Sequence, residues 1–312
     1  MKGHAGIEGN KGADKLAAEG AKKDQDSGEI DLRIPADTMT TGAALAQTSQ
    51  SLIYYHLTNG EQVERTTTQR SIEKIKVAIK EIFRETPSNK AIWRSMRHKD
   101  VTKKVRDFLW KQIHRIYRLG SFWSHIQGYE DRAGCPLCNK YDTFEHIISE
   151  CTLTERGIVW EQAKDLWKRR YDDELSTSEG AILGGGLANF KKENGKPDTA
   201  KNCLYRILIT ESAHLIWVLR CERRINNGDS PQDYHTEEAV KARWWGKMNE
   251  KMQIDCLLTN EYLYEKKAQK TKKVYNTWAK CSTSEEELHR EWCKHPGVLV
   301  VRISGRPPGR NR

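Results

Sequence analysis

One stretch restricts the fold of this chain more than any other: residues 135–151, CPLCNKYDTFEHIISEC. It sets Cys135, Cys138, His146 and Cys151 at the spacing C-x2-C-x7-H-x4-C. Two thiolates on a Pro-containing knuckle can bind one face of a tetrahedral zinc ion, and an imidazole with a third thiolate can close the other. Four protein ligands leave no position open for water or substrate, so zinc held here is structural. His146 and Cys151 stand about a turn and a half apart on a regular helix. The second ligand pair therefore needs a helix start or a bend toward the knuckle. Four unrelated buried residues are the alternative: free Cys is common in cores, but this ordering is not.

The remaining cysteines bear on the compartment. Eight are present in all, and Cys203, Cys221, Cys256, Cys281 and Cys293 lie outside the cluster. Five scattered thiols do not make a disulfide framework, which points to a reducing, intracellular setting, nucleus or cytoplasm. No signal peptide opens the chain, and its longest apolar runs, such as Leu215 to Leu219, are too short to span a bilayer. No membrane partner is expected.

The 312 residues suffice for one large or two ordinary domains. With 37% hydrophobic residues the core is thin, and ten Trp and eleven Tyr must supply much of its area. The net charge of +10 and pI near 9.1 favour contact with a polyanion such as nucleic acid. A well-solvated basic surface has the same composition, so charge alone leaves both readings open.

Periodicity predicts a helical protein. A helix is expected within 42–57, ended by Asn59-Gly60, and an amphipathic one over 68–84 carrying Ile72, Ile75, Val77, Ile79 and Ile82, stopped by Pro87. The strongest pattern precedes the knuckle. Thr102 can cap a helix whose stripe is Val105, Phe108, Leu109, Ile113, Ile116 and Leu119, with Gly120 as its stop. Its opposite side carries Lys103, Lys104, Arg106, Lys111, Arg115 and Arg118, which can track phosphates or simply face water. Trp93, Trp110 and Trp123 are expected as core anchors. Further helices are expected over about 154–171, 199–225 and 236–258, with Gly184-Gly185-Gly186 as a flexible connector lacking the Lys-Ser/Thr of a phosphate loop. A basic run at Lys266–Lys273, a capping box at Ser282–Glu287, a strand-like Val298–Ile303 and a disordered basic tail follow.

The N-terminal segment GHAGIEGNKGADKLAAEGA resembles the C-terminal end of type 1 ribonuclease H. In that family a flexible loop supplies a His and the last helix a carboxylate of a divalent-metal site; the matching positions are His4 and Asp14, with Asn10 as the expected N-cap. Two-metal hydrolysis of a phosphodiester needs several carboxylates around two Mg²⁺ ions. One Asp cannot hold both, and only three residues precede His4. The middle of the chain, FLWKQIHRIYRLGSFW and then GYEDRAGCPLCNKYDTFEHIISEC, resembles the zinc-binding region of non-LTR retrotransposon reverse-transcriptase polyproteins. The later ILITESAHLIWVLRCERR resembles the helix that follows it.

Together the resemblances imply a fungal-type retroelement C-terminal fragment. It would comprise a ribonuclease H remnant over 1–24 and a linker with one helix over 25–66. A helical zinc-binding region over 67–225 would follow, then a C-terminal helical region over 226–300 and a basic tail over 301–312. The fold class is mainly α, with a small CCHC zinc knuckle and a truncated ribonuclease H loop–helix. The implied role is binding RNA, an RNA–DNA hybrid or single-stranded DNA, with zinc as structural cofactor and Mg²⁺ only if the ribonuclease site were complete. A zinc-stabilised protein-interaction module is the alternative, and a working hybrid ribonuclease completed by a missing N-terminal part is a third.

Overall fold

The computed structural model describes residues 8–22, 49–59, 65–226, 228, 230 and 234–281. Most of the linker expected over 25–66, the capping box, the strand-like segment, the tail and His4 lie outside these residues. The chain divides into two units, 1–63 and 64–312. The first contributes α1 (Glu8–Ala21) and α2 (Gln50–Asn59). α1 begins at Glu8, so Asn10 sits inside its first turn and is not the N-cap. Leu16 on α1 and Leu52, Tyr54 and Tyr55 on α2 are exposed.

The second unit is helical, and among the described residues it holds no strand, only the isolated bridges Gly134–Tyr141 and Lys191–Pro197. Its elements are α3 (Thr66–Phe83), α4 (Asn89–Ser95), α5 (Lys103–Ile113), α6 (Thr154–Lys168), α7 (Glu179–Leu183), α8 (Thr199–Cys221), α9 (Glu237–Leu257), α10 (Glu261–Tyr264) and α11 (Thr271–Trp278). α8 is the axis. Asp198 caps it by accepting from Lys201 N at 3.0 Å, and 15 of its 23 residues are buried, far more than one amphipathic stripe. α5, α6, α7, α9, α11 and the turn at 146–150 all pack on it. The core therefore continues across residue 226, because α9 and α11 close over α6 and α8. Trp167, Trp244 and Trp278 lie at its centre, each contributing ~1.5–3 kcal/mol or more of burial.

Trp93, Trp110 and Trp123 are not among these anchors. Trp110 is 45% exposed, and Trp93 and Trp123 are half-buried. Trp93 and Trp110 both flank the His114 ring, at centroid distances of 5.2 and 4.5 Å. The expected long helix over 102–119 also ends early. α5 stops at Ile113, and Arg115 takes a left-handed φ of 52°. The turn leaves Ile116 45% exposed. What bends the chain is Glu179: its buried carboxylate receives Arg115 Nη2 together with Lys74 Nζ at 2.6 Å, while Arg115 Nε donates to Ser71 Oγ. A buried acid needs such partners, and the reach of Arg115 toward α7 competes with helix propagation.

Gly184–Gly186 is a packing element, not a flexible connector. A Cβ on Gly186 would meet Ser95 O at 2.4 Å, and one on Gly180, at the same joint, would meet Lys74 O at 2.3 Å. These residues have no side chain because α7 lies against the backbone of α3, and the turn Gly185–Leu187 against that of α4. Asp100 ties the far end of α8 to α11, taking Lys273 Nζ at 2.5 Å and Arg206 Nη1 at 3.3 Å.

Candidate metal centre

The knuckle is built by backbone bonds that its short residues permit. Cys135 N donates to Lys140 O at 2.7 Å and Asn139 N donates to Cys135 O at 3.1 Å. Asn139 takes a left-handed φ of 51°, which Asn tolerates better than most residues. Thr143 Oγ1 then accepts from His146 N at 3.1 Å and starts the turn that carries the second pair. That turn is a π-turn, His146–Glu150, closed by Cys151 N donating to His146 O at 2.7 Å. On a regular α-helix, residues five apart point ~140° away from each other. An i→i+5 turn brings them back to one side, which supplies the bend that the spacing demands.

The four ligand atoms lie within 4.8 Å of one another. The Sγ atoms of Cys135 and Cys151 are 3.9 Å apart, and those of Cys138 and Cys151 3.7 Å. Around a tetrahedral zinc with ~2.3 Å Zn–S bonds, thiolates stand about 3.8 Å apart. His146 is 1% exposed, and neither of its ring nitrogens has a hydrogen-bond partner. The nearest carboxylate, Glu150, is 3.9 Å from Nδ1. A buried imidazole without partners is costly, and a bond to a metal removes that cost. The residues thus fit a metal ion. Burial pushes the Cys151 thiol up to about 12 and the His146 imidazole below 6.5. Neutral His is the ligand form, whereas the thiols need a cation to draw off their protons. At Cys138, burial opposes ionisation, and hydrogen bonds from Thr152 and the neighbouring thiols outweigh it, so its pKa lies below 9.0.

The cluster is tied to the helical core on every side. Trp160 Nε1 donates to Ile148 O at 2.8 Å, Ser149 Oγ to Thr177 O at 2.9 Å, and Arg156 Nε to Cys151 O at 2.7 Å. From the end of α8, Arg220 binds the buried Asp142 carboxylate, and Arg224 Nη2 donates to Gly134 O at 2.9 Å. The cavity beside Cys135 and Cys151 is about 20 Å³, room for a water and no substrate. Four protein side chains close around the point where a metal ion could sit, leaving no open position. Among the described residues no cysteine is joined in a disulfide.

The basic residues expected to follow phosphates divide. Lys103, Lys104 and Arg118 are exposed. Lys111 pairs with Asp107 at 2.8 Å, and Arg115 is committed to Glu179, which removes it from any ligand face. Arg118 lies 5.2 Å over the Phe122 ring, beyond the end of α5. Asp14 is exposed on α1, and no second carboxylate joins it in a metal-capable group among the described residues.

Sequence reasoning passed over the surface beside the knuckle. Phe122, Tyr129, Leu137 and Tyr141 are 41–60% exposed there. Arg132 lies 4.8 Å over Tyr129 and 5.3 Å over Trp123. Gly120, at φ 50°, carries the chain from α5 to this surface close against Asp142 and Thr143 of the knuckle. The available signal was aromatic density: four of the 21 residues 121–141 are Phe, Trp or Tyr now found at this surface or half-buried beneath it.

Among the described residues no helix is long and apolar enough to cross a membrane. Compared with protein-family models, with curated proteins and with solved structures, the chain finds no significant match in any of the three.

Proposed function

We propose that this chain is a zinc-supported module that binds single-stranded nucleic acid. The observation that carries the reading is the surface next to the Cys3His cluster. Exposed aromatic rings there alternate with guanidinium groups, and the closed metal centre holds the loops that present them. Phe122, Tyr129 and Tyr141 offer faces for base stacking, while Arg118, Arg132 and the nearby Lys140 offer charge for the backbone. The net charge of +10 supports the same reading. So does the resemblance to the zinc-binding region of retroelement reverse transcriptases, which implies RNA, an RNA–DNA hybrid or single-stranded DNA as ligand. Zinc is the metal that thiolate-rich tetrahedral sites select, and its role here is structural.

His4 and Asp14 are vestigial in this reading. Mg²⁺-dependent hydrolysis needs carboxylates that Asp14 alone does not supply. The test is a filter-binding titration of the purified chain with single-stranded RNA and DNA at several salt concentrations. Affinity that falls steeply with salt and is lost on chelation is expected; salt-independent or absent binding sinks the reading. The same preparation should leave an RNA–DNA hybrid intact in Mg²⁺ and Mn²⁺, and cleavage abolished by Asp14→Asn would restore the enzyme.

A second reading, a zinc-stabilised protein-interaction module, draws on an open groove of about 790 Å³ along α3, beside α7. Its lining mixes Arg70 and Lys74 with Glu73, Glu81 and Glu145 around an exposed Val77. That mixture suits a peptide better than a phosphate chain. Competition between an oligonucleotide and the partner would separate the two surfaces.

A further inference from the structure

A second cavity, of about 380 Å³, opens between α5 and α8. Its walls are aromatic: Phe108, Tyr117, His214 and Trp217 all line it. Phe108 meets His214 edge-on at a centroid distance of 5.3 Å, and Tyr117 lies 4.4 Å from Trp217 at a tilt of 42°. Phe108 and Trp217 are buried and fix the floor, whereas Tyr117 and His214 are half-buried walls.

Two polar side chains, His214 and Tyr117, stand on the walls of this cavity. Burial pulls the His214 imidazole down to about 4, so it is neutral near pH 7 and offers one donor and one acceptor. Burial likewise pushes the Tyr117 hydroxyl up to about 12, keeping it protonated. Neither side chain has a hydrogen-bond partner among the described residues. A mostly apolar cavity with a few unspent polar groups is the usual form of a site for a flat, polar-edged ring.

The rim selects the charge of what enters. Both acids there are already neutralised: Asp107 holds Lys111 at 2.8 Å, and Glu222 holds Arg243 at 2.5 and 2.9 Å. Lys104 lines the same rim, is exposed, and has no ion-pair partner among the described residues. An anion beside a planar ring matches this pairing of free cation and aromatic walls.

We infer that the cavity between α5 and α8 accepts one unpaired nucleobase of a single strand, packed against the Tyr117 and His214 rings over the Phe108–Trp217 floor, with the adjoining phosphate on Lys104. The inference rests on the nucleic-acid reading above and names a site distinct from the exposed rings beside the knuckle. Ring contact rather than hydrogen-bond readout holds the base, so purines and pyrimidines both fit and sequence preference is weak. The site also assigns a role to Lys104 that Lys103, one residue away and around the helix, does not share.

The experiment uses the full zinc-loaded chain, a 12-nucleotide single strand of thymidines carrying one 2-aminopurine, and a fully abasic strand of equal length. Binding should quench 2-aminopurine, and the abasic strand should bind about tenfold more weakly. Tyr117→Leu should remove the quench and weaken the thymidine strand about tenfold while leaving the salt slope unchanged. Lys104→Gln should lower that slope by about one, with the quench retained. Helical circular dichroism of each variant, matched to the parent, shows that the fold is kept, and His214→Leu serves in place of a variant that fails it. Equal affinity for the abasic and intact strands, or a quench that survives Tyr117→Leu, overturns the pocket and leaves the knuckle surface standing. Binding of neither strand overturns both. Displacement by an aromatic peptide with no quench by either strand overturns the nucleobase in favour of a protein side chain.

Discussion

The knuckle at 135–151 and the joint between α3 and α7 are both compact, and they are held in opposite ways. At the joint, Gly180 lets backbones touch, while Ile72, Ile75, Ile79 and Ile182 exclude water around it. Dispersion and burial suffice there. At the knuckle, the turns that bring the ligands together leave His146 without a polar partner and press thiols to within 3.7–3.9 Å. That geometry suits a cation. One region is therefore held by its own side chains, and the other has the arrangement of a site that a metal ion would complete, although α8 touches both.

The largest expected effect is on the metal side. Structural zinc in small finger peptides contributes ~10–16 kcal/mol of apparent binding energy at neutral pH. Chelation, or Cys151→Ser, should release about one zinc per chain and collapse the 135–151 region. Hydrogen exchange should show protection lost there first and retained longest on α8. Simultaneous loss of protection throughout would show that the two regions are not distinct. Cys138→Ser should also lower metal content strongly, and unchanged stoichiometry would remove the centre.

Next comes the glycine joint. Gly180→Ala places a methyl 2.3 Å from Lys74 O, a backbone atom that cannot move aside cheaply. A loss of ~3 kcal/mol or more is expected in denaturant unfolding, with zinc content unchanged. A neutral outcome would mean that this joint is loose after all.

Acid should weaken the helical core in a smaller, graded way. Burial, with Arg206 nearby, pulls His98 down to about 4, and burial does the same to His214. A histidine whose folded pKa is depressed contributes stability that is present above its unfolded value of about 6.5 and is lost as pH falls toward 4. Each should cost ~1–2 kcal/mol over that window, after allowance for their solvent-exposed edges. Thermal melts of His98→Asn at pH 7 and pH 4.5 should converge relative to the parent. A parent melting temperature independent of pH between 7 and 5 would contradict the assignment.

The smallest effect separates two lysines on one helix. Lys103→Gln should change the salt slope of single-strand binding less than Lys104→Gln does. Equal slopes would make α5 a diffuse basic face.

The Cys3His cluster was legible because a tetrahedral ion would impose residue type and spacing together, and chance rarely supplies both. Helix positions were legible where caps and periodicity agreed, as at Thr236 before α9, whose Oγ1 accepts from Ala239 N at 3.2 Å. Ends were legible only where local chemistry set them. α5 stops at Ile113 because Arg115 answers a carboxylate on α7, 64 residues away, and no local pattern records that demand. The triple glycine read as slack for the same reason: a missing side chain means freedom in isolation and close contact in a packed joint.

By itself, the sequence determined the ligand set, the helical class and the excess of positive charge, since each follows from residue type and near spacing. The tertiary structure decided which aromatics are core and which are surface. It also spent Arg115 inside the protein, left Lys104 free, and shaped the cavity between α5 and α8. Those outcomes depend on which long-range partners reach a given side chain first, and only the packed chain settles that competition.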